Sequence, residues 1–484
     1  MTPPRPILVL LLIASLAACV PVSAGTPTDT PVPATITPGP SPTPLPTRPA
    51  YDPGQLVDYT ARSGDTLPAL AQRFNTTVER ILAANPLVPA DATTMPPGLP
   101  MQIPIYYRPF WGTPYQLLPD SLFVNGPTAI GFDTIAFVNG HSGWLKDFQA
   151  TTAVETLSGA EIVHLVATNY SLSPRLLLAV LEYQTGALSQ PVPPSGRYLL
   201  GEIDYTRAGF YLQLIWAANA LNNGFYGWRT GELVEFELRN GSIEQPDPWQ
   251  TAASVGIQYY FSRNFSMDEY RRAVGPDGIV RVYRELFGDP WAADQPIIPV
   301  SLQQPPLTFP FPAGESWTLT GGPHTGWGSL LPWAGLDFAP PAVEGGCVPT
   351  SHLAVAMADG VVVRSQAGVV MLDLDGDGDE RTGWVLLYLH IATPGRPSVG
   401  RTLRQGDPVG YPSCEGGIAT GTHVHIARKY NGEWIAADSA IPLNLEGWIA
   451  EKGAAPYEGL LRRDNQVVIA CACSNAASQV TAGR

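Results

Sequence analysis

Of the seven histidines in this 484-residue chain, five fall in its C-terminal third together with Asp337, among them His324, His390, His423 and His425. Imidazole nitrogens and carboxylate oxygens are donors that a zinc-like cation accepts, and a catalytic site uses three of them and keeps a fourth position for water. In "THVHIA" His423 and His425 are separated by one residue. On a strand, side chains alternate, so both imidazoles face one side, opposite Val424. "LLYLHIA" places Tyr388 and His390 on one face of a second strand, and "GGPHTGWGSLLPWAGLDFAPP" (321–341) holds His324 and Asp337 thirteen positions apart. By themselves these residues fit either a metal or catalytic centre or a polar sheet face. His352 reads as a loop histidine, and His141 and His164 lie outside this region.

A second cluster, "DLDGDGDE" (373–380), spaces Asp373, Asp375 and Asp377 like the first half of a calcium loop. The twelfth position is Trp384, where such a loop needs a bidentate glutamate. A solvated acidic hairpin tip is the first reading and a weak Ca2+ site the second. Apart from Cys19, the cysteines are Cys347, Cys414, Cys471 and Cys473, an even number that suits an oxidising compartment. Sequence leaves three pairings open; Cys347 with Cys414 is favoured because both lie in one domain.

The elements that must carry these residues are strands. "AVAMADGVVVRS", "GVVMLDL", "GWVLLYLHIA" and "THVHIARKY" are strand-like runs divided by Gly, Pro and Asp turns, giving a β-rich domain over 304–450 and a tail over 451–484. Residues 107–303 are mostly helical by pattern. Within them "SPRLLLAVLEYQTGALS" (172–189) carries Leu176, Leu177, Val180 and Leu181 at helical spacing after a Ser-Pro start. Over about twenty residues it loosely resembles the first catalytic helix of lytic transglycosylases and goose-type lysozymes. The position of their acidic glutamate is Gln184, which cannot protonate a departing glycosidic oxygen. Glu182 lies about 200° round the helix from it. A core helix in a degenerate lysozyme-like region, at best, is the expectation.

Upstream, "YTARSGDTLPALAQRFNTTVERILAANP" has one apolar helical stripe at Leu67, Leu70, Ala71 and Phe74 and another at Val78, Ile81 and Leu82. Asp65 and Thr76 or Thr77 are the expected N-caps. With short flanking strands this makes a βααβ unit over 55–106. Gly64-Asp65-Thr66-Leu67, Phe74, Ile81, Asn85 and Gly98 to Pro104 resemble the LysM module, which implies binding to N-acetylglucosamine-containing glycan, above all peptidoglycan.

The N-terminus reads as an export signal over 1–24: Arg5, then an apolar run from Ile7 to Ala18 that is too short for a permanent membrane helix. "LAAC" resembles a bacterial lipobox ending at Cys19, and "VSA" before Gly25 offers ordinary cleavage. The protein is therefore expected outside the cytoplasm, either as a membrane-anchored lipoprotein of the cell envelope or secreted. Residues 25–54 are a Pro/Thr-rich linker, and 26 such residues in polyproline form reach roughly 80 Å. The net charge of −14, with no basic run, argues against nucleic acid and against any membrane contact beyond a lipid anchor. A monomer is expected.

The C-terminal segments together resemble the lysostaphin-type and β-lytic zinc metalloendopeptidases, which cut cell-wall peptides. "CEGGIATGTHVHIARKYNGEW" (414–434) matches their closing motif, "ADGVVV" and "YLH" their interior strands, and "FPFPAGESWTLTGGPHTGWGSLLPWAGLDFA" (309–339) the β-lytic branch. In the lysostaphin branch the first ligand lies four residues before the aspartate, which is Trp333 here. The β-lytic branch takes its histidine from farther upstream, where this chain has Gly322-Pro323-His324. The resemblance implies an antiparallel sheet groove holding one catalytic Zn2+ on His324, Asp337 and His425. It assigns acid–base work to His423 and His390, with His423 towards the water and peptidoglycan peptide as substrate. β-lytic relatives favour glycine-containing bonds. The alternatives are a non-catalytic, peptidase-like activator of amidases and a glycan-binding lipoprotein. Completeness of the ligand set favours the enzyme.

Overall fold

The computed structural model describes residues 45–484, except 107, 109, 110, 153, 154, 343, 474 and 484. The expected signal, Cys19 and linker residues 25–44 lie outside the described residues. No helix among those described is long and apolar enough to cross a membrane.

Strand β1 (Gln55–Thr60) pairs antiparallel with β2 (Pro100–Ile105), and α1 (Leu67–Arg73) and α2 (Val78–Ala84) lie between them, which is the expected βααβ order. Leu67, Leu70, Phe74 and Ile81 fill its core. The caps are Thr66 and Thr77, whose side chains accept from Ala69 N and Arg80 N. Asp65 is not a cap. It is buried, accepts from the Tyr59 hydroxyl at 2.6 Å and Arg62 N at 2.7 Å, and pairs with Arg73 at 2.9 Å. Spacing alone does not separate a capping aspartate from one that turns inward to a guanidinium two helical turns away.

This unit is tied down. Arg62 donates to the carbonyls of Trp249 and Gln250, and the Thr93 and Thr94 hydroxyls donate to those of Leu302 and Pro299. The end of the expected spacer is also docked: Arg48 lies 2.5 Å from Asp247 and 3.8 Å over the Trp249 ring.

The middle of the chain is helical as expected, chiefly α3 (Gly159–Tyr170), α4 (Pro174–Thr185), α5 (Phe210–Thr230), α6 (Ala252–Asn264) and α7 (Ile279–Phe287). Pro174 opens α4 and residues 176–181 are all buried. Gln184 accepts from the Tyr260 hydroxyl and Glu182 from Leu188 N, so both are engaged in holding the fold. Helices α5 and α6 cross at glycines. A Cβ on Gly224 would lie 2.8 Å from Gly256 Cα, closer than real Cβ atoms approach.

The C-terminal domain is built on a nine-stranded sheet. Its strands include β3 (Ser316–His324), β4 (Gly335–Ala339), β5 (Gly360–Gln366), β6 (Val369–Asp373), β7 (Trp384–Leu389), β8 (Thr402–Leu403), β9 (Val424–Tyr430) and β10 (Gln479–Thr481). They run β8-β5-β6-β7-β9-β4-β3-β10, all antiparallel, with Glu433–Trp434 paired to β9. Alternation divides the faces. Val369, Met371, Val385, Leu387 and Ala427 pack with the helices, whereas Val370, Leu372, Leu386, Tyr388, Val424 and Ile426 form a separate core.

Residues 451–484 are not a tail. A four-stranded sheet (Asn444–Leu445, Trp448–Lys452, Gly459–Arg463, Gln466–Ile469) and edge strand β10 bury Leu461, Val468 and Val480 in that second core. The strands are two to five residues long and carry polar or charged residues between their apolar positions, too weak a pattern to read from sequence.

Candidate metal centre

Register brings the site residues together. On the two central strands His425 stands directly opposite Asp337, and Leu389, the residue before His390, stands opposite His425 on the other side. Strand β3 slips its register on β4 twice, between Leu319 and Gly321 and again before His324, which sets His324 opposite Gly335. Gly335 is required there by close approach: a Cβ would fall 2.2 Å from His425 Cε1. Asp337 and His425 share the sheet face of Ala427, opposite to the Leu336, Phe338, Val424 and Ile426 side, as strand alternation predicted for His423 and His425.

His324 Nε2, His425 Nδ1 and Asp337 Oδ1 converge. The separations are 2.9 Å between the two nitrogens, 3.0 Å from His425 to the carboxylate and 3.3 Å from His324 to it. Donors at about 2.0–2.1 Å from a tetrahedral ion lie roughly 3.3 Å from one another. The opposite ring nitrogens decide what these atoms carry. His324 Nδ1 lies 2.8 Å from the Gly322 carbonyl and His425 Nε2 lies 3.2 Å from that of Gly326. Carbonyls only accept, so the ring protons belong there, and the inward-facing nitrogens present bare lone pairs. Two such lone pairs and a carboxylate aimed at one point repel unless a cation lies among them. Burial raises the Asp337 carboxyl, but positive charge facing it, which His324 and His425 supply when protonated and a bound cation would supply in their place, outweighs that and holds the group well below the carboxylate range. His425 is pushed down, first by burial. The set therefore fits a tetrahedral divalent ion.

The other two histidines border it. His423 Nδ1 faces the Gly421 carbonyl at 2.8 Å, leaving Nε2 bare 3.7 Å from Asp337 Oδ1. His390 Nδ1 faces the Glu415 carbonyl at 2.8 Å, and its ring centroid lies 4.5 Å from that of His423. Burial, then the neighbouring His423, push His390 down to about 4. The His390 backbone has φ +68°, in the left-handed region. All five expected residues thus meet at one place.

Two features were not read from the sequence. The Tyr457 ring stacks on His324 with centroids 4.0 Å apart, delivered by the segment expected as a tail. Loop 325–332, which supplies the Gly326 carbonyl, is held from helix α5: Asn219 accepts from Ser329 N at 2.7 Å and Asn223 from Leu331 N at 2.9 Å. Trp333 is not among the converging donors; it bonds Ala437 N through its carbonyl. His352 lies by Glu315 at 3.2 Å and His141 by the Phe137 carbonyl, apart from the five. Asp373, Asp375 and Asp377 do cluster, but their oxygens accept the backbone N–H groups of Asp375, Gly378, Asp377 and Asp379. The turn closes on itself without an ion, and calcium is not supported. Cys347 pairs with Cys414, and Cys471 with Cys473.

The family model for the LysM domain matches residues 59–104, and that for the LasA N-terminal domain matches 116–301. Protease LasA of Pseudomonas aeruginosa strain PAO1 is 26% identical over 343 residues, covering 67% of this chain and 76% of the relative. The chain is a LysM-bearing relative of protease LasA. The LasA of strain UCBPP-PA14 is 27% identical over the same shares. Solved structures similar to the chain include pseudoalterin, titled a novel M23 metalloprotease from the deep sea, at 22% identity. It covers 34% of this chain and 96% of its own, with TM-score 0.30. The catalytic domain of lysostaphin from Staphylococcus simulans is 19% identical, covers 26% and 89%, and has TM-score 0.18. The match to the LasA N-terminal domain spans most of the helical middle, α4 included.

Proposed function

We propose that this chain is an exported, zinc-dependent endopeptidase that cuts stem or cross-bridge peptides of peptidoglycan, directed to the wall by its LysM module. The observation that carries the reading is the convergence of His324 Nε2, His425 Nδ1 and Asp337 Oδ1 about 3 Å apart. The relatedness to protease LasA and the LysM match support it.

Zinc held by these three residues would polarise a peptide carbonyl and bring the pKa of a water towards neutral. The chain's own groups do the rest. His423, with bare Nε2 and the most exposed ring of the set, takes a proton from the attacking water. His390 keeps its Nδ1 on the Glu415 carbonyl and, once Nε2 has taken up a proton, steadies the tetrahedral oxyanion or gives that proton to the leaving amine. The Gly421 and Glu415 carbonyls orient both rings through Nδ1, which leaves each Nε2 for the exchange. Glycine-containing bonds are the proposed targets, and the protein works in the cell envelope, whether lipidated at Cys19 or free.

The test is release of peptide amines from purified peptidoglycan by the full chain. Activity should vanish with a chelator, return with zinc and be absent in His425→Ala. Release that survives both treatments would overturn the reading.

A further inference from the structure

Beside the catalytic pair lies an open cavity of about 300 Å³ that the peptidase reading does not use. Its walls are almost wholly apolar: the Cys347–Cys414 disulfide, Val348, Ala392, Pro394 and Tyr411, with Thr350 and Thr422 among the few polar side chains and no charged one. The cavity and the two histidines share backbone. Thr422 precedes His423, Ala392 follows His390 by two residues, and Ser413, another lining residue, bonds the His390 carbonyl through its N–H at 2.7 Å and bridges to His423. The two Thr422 bonds to loop 346–348, N to the Gly346 carbonyl at 3.0 Å and Oγ1 to that of Val348 at 2.5 Å, fix the opposite wall.

The side chains of His324, His425 and Asp337 are 3%, 6% and 9% exposed, whereas His423 is 15% exposed. The metal group is thus less covered at His423, the residue after the cavity-lining Thr422. The loop whose ends line the cavity, 414–422, also carries a fully exposed isoleucine, Ile418, next to Gly417, whose backbone approaches the His390 ring. Apolar surface at the lip and an uncharged hollow behind it suit an aliphatic side chain. A lysine or glutamate would lose its hydration there with no partner.

We infer that this cavity is a specificity subsite, taking one aliphatic side chain of the peptide substrate adjacent to the scissile bond. The enzyme then favours glycine-containing peptides that carry such a residue over all-glycine ones. This inference rests on the peptidase reading and deepens it.

The test uses the zinc-loaded full chain and glycine peptides identical except for one residue, placed on either side of the cleaved bond in turn and set to Gly, Ala, Val, Leu, Lys or Glu. On one side kcat/KM should rise at least about tenfold from Gly to Val or Leu, with Lys and Glu no better than Gly. Filling the cavity with Ala392→Phe, or separately with Thr350→Phe should the first fold poorly, should bring the Val-to-Gly ratio close to one. Equal rates for Gly and Val peptides in the wild type would overturn the subsite and leave the peptidase standing, as would a ratio unchanged in a folded filling variant. Cleavage of none of the peptides, with peptidoglycan also untouched, would overturn both.

Discussion

His324, Asp337 and His425 form a site because each is stripped of any other use for its inward atom, and that gives predictions at the level of single side chains. Asp337→Asn keeps the shape of the carboxylate and removes its charge, so zinc retention should fall to near zero with the fold intact, measured by elemental analysis alongside circular dichroism. Tyr457 stacks on the His324 ring at 4.0 Å, where it would orient this proposed ligand. Tyr457→Ala should weaken zinc affinity by about ten- to a hundredfold, the range for supporting residues of metal sites, and Tyr457→Phe should keep it. Competition with a chromophoric chelator measures both. The convergence of the five residues was legible in the sequence because H-x-H on a strand fixes a common face and because the motif register singles out His324 over Trp333. Tyr457 was not, since a tyrosine in a weakly patterned segment 133 positions after His324 has no spacing that ties it to a histidine.

Among the elements, α5 joins three parts of the chain. The buried Arg229 guanidinium donates to the Ser63 carbonyl of the LysM unit at 2.9 Å and to Glu433 beside β9 at 3.0 Å, and it lies 3.3 Å from Asp120 of the helical part. Removing one partner of a buried pair costs about 3–5 kcal/mol because the other charge is left unpaired. Arg229→Met should therefore destabilise the chain by that amount in denaturant unfolding, and Arg229→Met with Glu433→Gln should recover part of the loss. The helices, the βααβ unit and the main strands could be read from period and caps. Their mutual docking could not: Arg229, Asn219 and Asn223 look like ordinary helix-surface residues until the partner surfaces are known.

At the scale of the whole molecule, the spacer expected to end at residue 54 is already docked at Arg48, and the segment after 450 completes the sheet at β10. Both were missed because short segments that gain order only by packing on distant chain carry little periodicity of their own. The Cys347–Cys414 bridge, its ends 67 positions apart in sequence, closes a long loop that contains His390. On chain entropy it should contribute roughly 4 kcal/mol, so reduction should lower the unfolding midpoint and Cys347→Ala/Cys414→Ala should reproduce the effect. The joint hold of three distant residues on one ion underlies every functional statement made of this protein. Elemental analysis of the purified full chain measures it most directly: about one zinc per chain in the wild type and close to none in His425→Ala is the predicted result. A wild type free of zinc after exposure to it, or a variant that retains it in full, would contradict the account.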